Sequence, residues 1–310
     1  MPDTERLNNE SYTRVFDRLS ELARERTPFF ADVWKRQEKE FGSPWVRDIA
    51  ENVSLFLGER DEEAWKKALD GYADFSMDAA RQQNYFEENR QYQGVSSANL
   101  LSSCYEDRDF MMMTYLPGLY LSHFLWRHHY KLLRFFRSKV LPSLTSPKFF
   151  YEIGVGTGLY SYETLRYFSD AHGHGIDISQ YSLDFTGRLL TAGGMSKRYQ
   201  CEKMDIFKSC LEPEKADFLV CQEVLEHLED PERSCRILLT LIKPSAKAYI
   251  TAAINAAHTD HIYLFNSPSE VEAMLRSAGW RIIRSCAEYA YTGKALEVTP
   301  CVAGFLCEKI

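Results

Sequence analysis

The sequence predicts an α/β fold for the C-terminal half, a mostly parallel sheet packed between helices, joined to an all-helical N-terminal region. Three observations carry this. Apolar residues recur at helical spacing up to about residue 145, short apolar runs alternate with helical segments after it, and a Pro- and Ser-rich stretch separates the two textures.

In the N-terminal region, Tyr12, Val15, Phe16, Leu19 and Leu22 fall on one helical face, as do Trp65, Leu69 and Tyr72. Asp61 stands before Glu62 and Glu63, where acids suit the positive end of a helix dipole. A further helical run is expected over 119–141, closed by Pro142, Ser143, Ser146 and Pro147. The domain boundary is placed there: 1–145 as a helical substrate-binding lid, 146–310 as the sheet domain.

Beyond the boundary, strands are expected at 149–153, 174–178, 199–204, 217–221 and 247–254, with helices near 159–168, 180–192, 231–241 and 268–278. The runs at 281–286 and 302–310 have no helix between them and are expected to pair antiparallel. That makes seven strands.

Composition narrows the function classes. The 310 residues are 45% apolar and 14% aromatic, a globular balance with no low-complexity tract. The 37 basic residues are outnumbered by 44 acidic ones, and neither half has a basic excess, which argues against a nucleic-acid partner. The longest apolar run, 110–126, contains Pro117, Gly118 and His123 and is too short and broken for a membrane span. The first ten residues are polar and lack a secretory leader pattern, so a cytoplasmic protein is expected. Its eight cysteines form no CxxC pair and are expected to be reduced thiols.

The sharpest motif is Glu152-Ile-Gly154-Val-Gly156-Thr-Gly158, between a strand and a helix. Alternate glycines allow a tight turn that brings backbone amides close to a ligand. Asp177, at the end of the second strand, is placed to accept hydrogen bonds from a ribose. The GxGxG spacing, the carboxylate just before it and the segment from Cys221 through Gln222 to His227 and Pro231 resemble the class I S-adenosylmethionine-dependent methyltransferases over residues 149–310. The resemblance implies a Rossmann-like seven-stranded sheet with its last strand antiparallel. It also implies S-adenosylmethionine as cofactor, held by Glu152, Gly154, Gly156, Asp177, Asp205, Ile206 and Gln222, with Phe207 flanking the adenine.

The acceptor should sit beyond the carboxyl ends of the fourth and fifth strands. There the sequence places His258, Asp260 and His261, either a 2-His-1-carboxylate set for a divalent ion such as zinc or iron, or a loop cap or metal-free base. His227 is a candidate base for a C3 proton of a 2-oxo acid. The His258–His261 segment is similar to that of bacterial C-methyltransferases acting at C3 of 2-oxo acids. That similarity implies methyl transfer through a metal-stabilised enolate. The alternative is a metal-independent O- or N-methyltransferase with His261 or His227 as base, and a non-catalytic cofactor-binding protein is disfavoured.

In the helical region, Arg127 is either the partner of the acceptor's carboxylate or part of a solvated basic face. The run from Tyr105 through Glu106, Asp107, Arg108 and Asp109 either engages a cationic side chain, as in 5-guanidino-2-oxopentanoate, or is solvated. Met111, Met112 and Met113 are expected in core or pocket wall. The partner expected is a small-molecule acceptor, and the sequence does not decide between a monomer and a homodimer.

Overall fold

Strand β1 (Phe149–Ile153) lies in the interior of a seven-stranded sheet in the computed structural model, which describes residues 9–58, 61–93 and 104–309. Residues 1–8, and Ile310 at the end of the last expected strand, lie outside the described residues. The other strands are β2 (His172–Asp177), β3 (Tyr199–Lys203), β4 (Ala216–Cys221), β5 (Ile242–Ile254), β6 (Trp280–Tyr289) and β7 (Cys301–Lys309). Their spatial order is β3-β2-β1-β4-β5-β7-β6, and only β7 runs antiparallel to its neighbours. The order reverses between β1 and β4, the place where an open parallel sheet leaves a crevice at its carboxyl edge.

The expected strands all form: β1 keeps its expected bounds, β3 ends one residue early, and β5 and β6 are extended. β5 begins at Ile242 rather than 247, because its first residues pair with β4 across an irregularity between Ala216 and Phe218. β2 begins at His172, paired with Phe149.

Eleven described segments of the helical region and the crossovers matter to the site. They are α1 (Asn9–Arg26), α2 (Ala31–Phe41), α3 (Ser43–Leu57), α4 (Glu62–Asn89), a π-helical turn (Phe110–Tyr115), α5 (Leu116–Leu125) and α6 (Arg127–Phe135), then the crossover helices α7 (Leu159–Tyr167), α8 (Gln180–Ala192), α9 (Pro231–Leu241) and α10 (Pro268–Ser277). Asp61 caps α4, its side chain accepting from the Ala64 amide at 3.0 Å. The single helix expected over 119–141 is divided: Trp126 takes an extended conformation (φ −87°, ψ 121°), and a second π-helical turn spans Phe136–Val140.

Strand alternation sorts the core onto two faces. Phe150, Phe218, Val220, Tyr249, Val302 and Leu306 join the apolar residues of the N-terminal helices in one cluster. Tyr151, Ile153, Leu219, Cys221 and Ile250 face the opposite layer with Val271 and Leu275 of α10. Arg137 ties the two regions together, bonded to Asp48 of α3 at 2.7 Å and Glu163 of α7 at 2.6 Å. The eight cysteines are free thiols, five of them buried. Among the described residues no helix is long and apolar enough to cross a membrane.

Phe136 is fully buried against Tyr160, Tyr249 and Phe218. Phe136→Ala is expected to destabilise the protein by about 3–5 kcal/mol. Because the helical region and the sheet share this cluster, urea unfolding followed by fluorescence and circular dichroism should show one coincident, shifted transition.

Candidate active site

The glycine turn follows β1 directly. Gly154 lies at φ 71°, and a Cβ there would meet Val224 Cγ2 at 2.5 Å, so both backbone shape and space demand glycine. Gly154 is anchored by its amide to the Ile176 carbonyl at 2.9 Å. Asp177, at the carboxyl end of β2, accepts from the Gly156 amide at 3.1 Å and the Ser179 amide at 2.8 Å. Each carboxylate oxygen keeps a lone pair toward the crevice. Burial pushes the Asp177 pKa up, against the opposing pull of these amides.

Gly154, Gly156, Asp177, Asp205, Ile206 and Gln222 all line one cavity of about 1260 Å³. Asp205 caps the short turn at Ile206–Lys208, accepting from the Phe207 amide at 2.9 Å. Gln222 Nε2 is buried with no partner. Glu152 departs from the expected set. Its carboxyl group does not line the cavity but accepts hydrogen bonds from the Ser161 hydroxyl and, at 3.2 Å, the Tyr199 hydroxyl. Burial pushes its pKa up to about 8. It braces β1 against α7 and β3.

A second part of the cavity wall is built on the loop after β5. Asp260 is fully buried, and its carboxylate accepts hydrogen bonds from three side chains. His258 Nδ1 donates to Oδ1 at 2.8 Å, while the hydroxyls of Tyr105 and Tyr115 donate to Oδ2 at 3.0 and 2.6 Å. His227 Nδ1 lies 3.5 Å from Oδ2 and donates to the Asp260 carbonyl at 2.9 Å. Burial would raise the Asp260 pKa, but the His227 charge and the His258 bond outweigh it and hold the group well below the usual carboxylate range. His258 Nε2 is buried and unpartnered.

His258, Asp260 and His261 therefore do not converge as a ligand set, since the Asp260 oxygens are occupied by side-chain donors. His261 belongs to a different trio. One ligating atom each of Glu226, His227 and His261 lies within 4.8 Å of the others. His261 Nδ1 donates to the Ala256 carbonyl at 2.6 Å, which leaves Nε2 bare. Burial, then the His227 charge, lowers the His261 pKa to about 3. Glu226 is fully buried and both of its carboxylate oxygens lack a partner. Burial pushes the pKa of Glu226 up, and burial together with the Glu226 charge does the same to Glu223, whose Oε1 is also unpartnered.

Arg127 reaches the cavity rim but is held by Glu40, with Nε at 2.7 Å from Oε2 and 36% of its side chain exposed. Glu106, Asp107, Arg108 and Asp109 are exposed and outside the cavity: Asp107 caps the Phe110 amide at 3.0 Å and Arg108 pairs with Asp109 at 3.4 Å. Met111 is core, and Met113 is exposed. Sequence reasoning missed Glu226, although it stands beside His227 in the quoted segment. It also missed Tyr115 and the direction of Tyr105, which depend on helical packing and have no local signature. The aromatic wall of Phe75 and Trp126, 5.5 Å apart, with His258 4.7 Å from Phe75, was likewise invisible.

A methyltransferase-domain family profile matches residues 151–250. The ubiquinone biosynthesis O-methyltransferase of Coxiella burnetii is 26% identical over 151 residues, covering 43% of this chain and 63% of that protein. The enzyme of the same name from Ralstonia nicotianae is 30% identical over 147 residues, covering 41% and 60%. The chain thus spans less than two thirds of the length of these curated relatives. Among solved structures, the mitomycin 7-O-methyltransferase superposes with a TM-score of 0.55 at 17% identity, covering 86% of this chain and 83% of that one. A phosphoethanolamine N-methyltransferase from Haemonchus contortus, in complex with phosphomonomethylethanolamine and S-adenosylhomocysteine, gives 0.51 at 13%, covering 70% and 61%. These two show a shared fold.

Asp177→Ala is expected to weaken S-adenosylhomocysteine binding by about 1–3 kcal/mol in calorimetry. Glu152→Gln should leave that affinity unchanged. Its effect lies in stability: the raised pKa means that wild type loses stability as pH rises from the unfolded value of 4.5 through about 8. Stability of the Gln variant relative to wild type should therefore grow across that window, as denaturant titrations at several pH values will read.

Proposed function

We propose that this chain, which belongs to the class I S-adenosylmethionine-dependent methyltransferases, transfers the cofactor's methyl group to C3 of a small 2-oxo acid. The carrying observation is the doubly unpartnered, fully buried Glu226 carboxylate set between His227 and His261. Two bare imidazole nitrogens and one carboxylate are a donor set suited to zinc or iron with open positions. When bound there, a divalent ion supplies Lewis acidity to a chelating acceptor and makes its C3 proton easier to remove.

The chain's own residues do the rest. Gly154, Gly156, Asp177, Asp205, Ile206 and Gln222 hold the cofactor, with Asp177 on the ribose and Ile206 against the adenine. His258, its Nδ1–H fixed by Asp260, presents a bare Nε2 that takes the C3 proton. The carbon then attacks the sulfonium methyl, the S–C bond breaks and S-adenosylhomocysteine is released, while the proton passes from His258 to water. Phe75 and Trp126 exclude water from this step. A basic acceptor side chain such as that of 5-guanidino-2-oxopentanoate meets Glu223 rather than the acids at 106–109. The cavity exceeds the roughly 300–1,000 Å³ of a single-ligand site, in keeping with cofactor and acceptor together.

A second reading, O-methylation of a small hydroxylated acceptor, is supported by the names of the curated relatives and by the His258–Asp260 pair, which serves equally as base for a hydroxyl. It requires no metal.

Metal analysis of the purified protein and methyl transfer on a panel of 2-oxo acids, phenols and amines, with and without chelator, separate the two. Stoichiometric metal and chelator-sensitive turnover of a 2-oxo acid are expected; chelator-resistant turnover of a phenol or amine only would overturn C3 methylation. Glu226→Gln should weaken metal affinity by more than about tenfold, since even outer partners of a ligand cost about 10–100-fold. His258→Ala should cut turnover by about 10²–10⁴-fold with cofactor affinity intact.

A further inference from the structure

The loop that carries His258, Asp260 and His261 leaves β5 at Asn255, a non-glycine residue at φ 50°. A left-handed residue there persists only where its surroundings hold it. Part of the hold is local: the Asn255 amide donates to the Phe265 carbonyl at 3.0 Å, and its side chain donates to the Asn266 carbonyl at 3.0 Å. The rest comes from α4, in the helical region.

Gln83 of α4 is 8% exposed and uses both atoms of its amide group on this loop, with one further bond to the turn before β7. Its Nε2 donates to the Asn255 carbonyl at 3.1 Å and to the Val298 carbonyl at 3.0 Å, and its Oε1 accepts from the Ala257 amide at 2.9 Å. The residue between the two clamped positions is Ala256, whose carbonyl takes the Nδ1 proton of His261. One helical turn earlier, Asp78 accepts from the Thr259 hydroxyl. The chain of contacts runs from Gln83, through the Ala256 carbonyl, to the tautomer of His261.

We propose that Gln83 is a positioning residue: by clamping Asn255 and Ala257 it orients the Ala256 carbonyl, which fixes His261 with Nδ1 protonated and Nε2 bare toward Glu226 and His227. The helical region then completes the acceptor site instead of only covering it. This rests on the proposed reading of the 255–261 loop as the acceptor side.

The test compares full-length wild type with Gln83→Leu, which keeps the volume and removes all three bonds, and with Thr259→Val, which removes the second tether from the loop side. Hydrogen exchange in Gln83→Leu should rise at least about tenfold at 255–261 and stay unchanged in β1 and β7, a local opening of the kind expected when tethers to a loop are lost. Imidazole nitrogen shifts should move His261 from one tautomer to a mixture, a signature that mere loss of packing would not give. Affinity for S-adenosylhomocysteine should be unchanged, and turnover should fall through kcat with KM for the cofactor constant. Unchanged protection of 255–261, or an unchanged His261 tautomer, overturns the proposal. So does normal turnover in a variant whose loop has loosened. If wild type methylates nothing on the panel, the functional reading fails, and exchange and tautomer still decide the role of Gln83. If Gln83→Leu does not fold, the same readouts in Thr259→Val decide: a local rise in exchange with a disturbed His261 tautomer supports the clamp, and neither overturns it.

Discussion

Asp260 must stay ionised with no access to water, and a buried carboxylate is tolerated only where donors surround it. Its partners come from three places far apart in the chain: the hydroxyls of Tyr105 and Tyr115 before the sheet domain, His258 in its own loop, and His227 after β4, which sits 3.5 Å from Oδ2 while bonding the Asp260 carbonyl. No single segment can satisfy it. The helical region, the β4 edge and the β5 edge are therefore drawn to one point, and the crevice at the sheet's switch point becomes an enclosed cavity. The π-helical turn at Phe110–Tyr115 belongs to the same demand, since it sets Tyr115 where its hydroxyl can reach Oδ2.

What was legible in the sequence follows from how local each determinant is. The glycine turn, Asp177 and Asp205 are fixed by a few neighbouring residues and their strand, so their spacing was enough to place them on the cavity wall. The seven strands and the antiparallel β7 followed from the alternation of runs and from the absence of a helix before the last one. Glu152 shows the limit: its position beside the turn was plain, but strand alternation sends its side chain to Ser161 and Tyr199. Trp126 shows another, because a helix break without proline or glycine leaves no mark in the apolar pattern.

The sequence placed His258, Asp260 and His261 together after β5, and the structure gives the two imidazoles different partners. His258, Asp260 and His261 are close in number, yet each imidazole is governed by what its Nδ1 proton meets, the Asp260 carboxylate for one and the Ala256 carbonyl for the other. Those partners are tertiary facts. Arg127 is a similar case: a cation at the rim reads as an anion receptor until Glu40, 87 residues earlier, is found within 2.7 Å of it.

The charge balance of the cavity sharpens the choice of acceptor. Glu223 and Asp260 line it, the buried Glu226 does not, and Arg127 on its wall is paired with Glu40. An anionic 2-oxo acid reaching Asp260 would meet like charge and a desolvation cost. A divalent cation held by Glu226, His227 and His261 would supply positive charge and Lewis acidity beside Asp260. On the proposed reading an anionic acceptor therefore depends on that ion, whereas a neutral phenol does not.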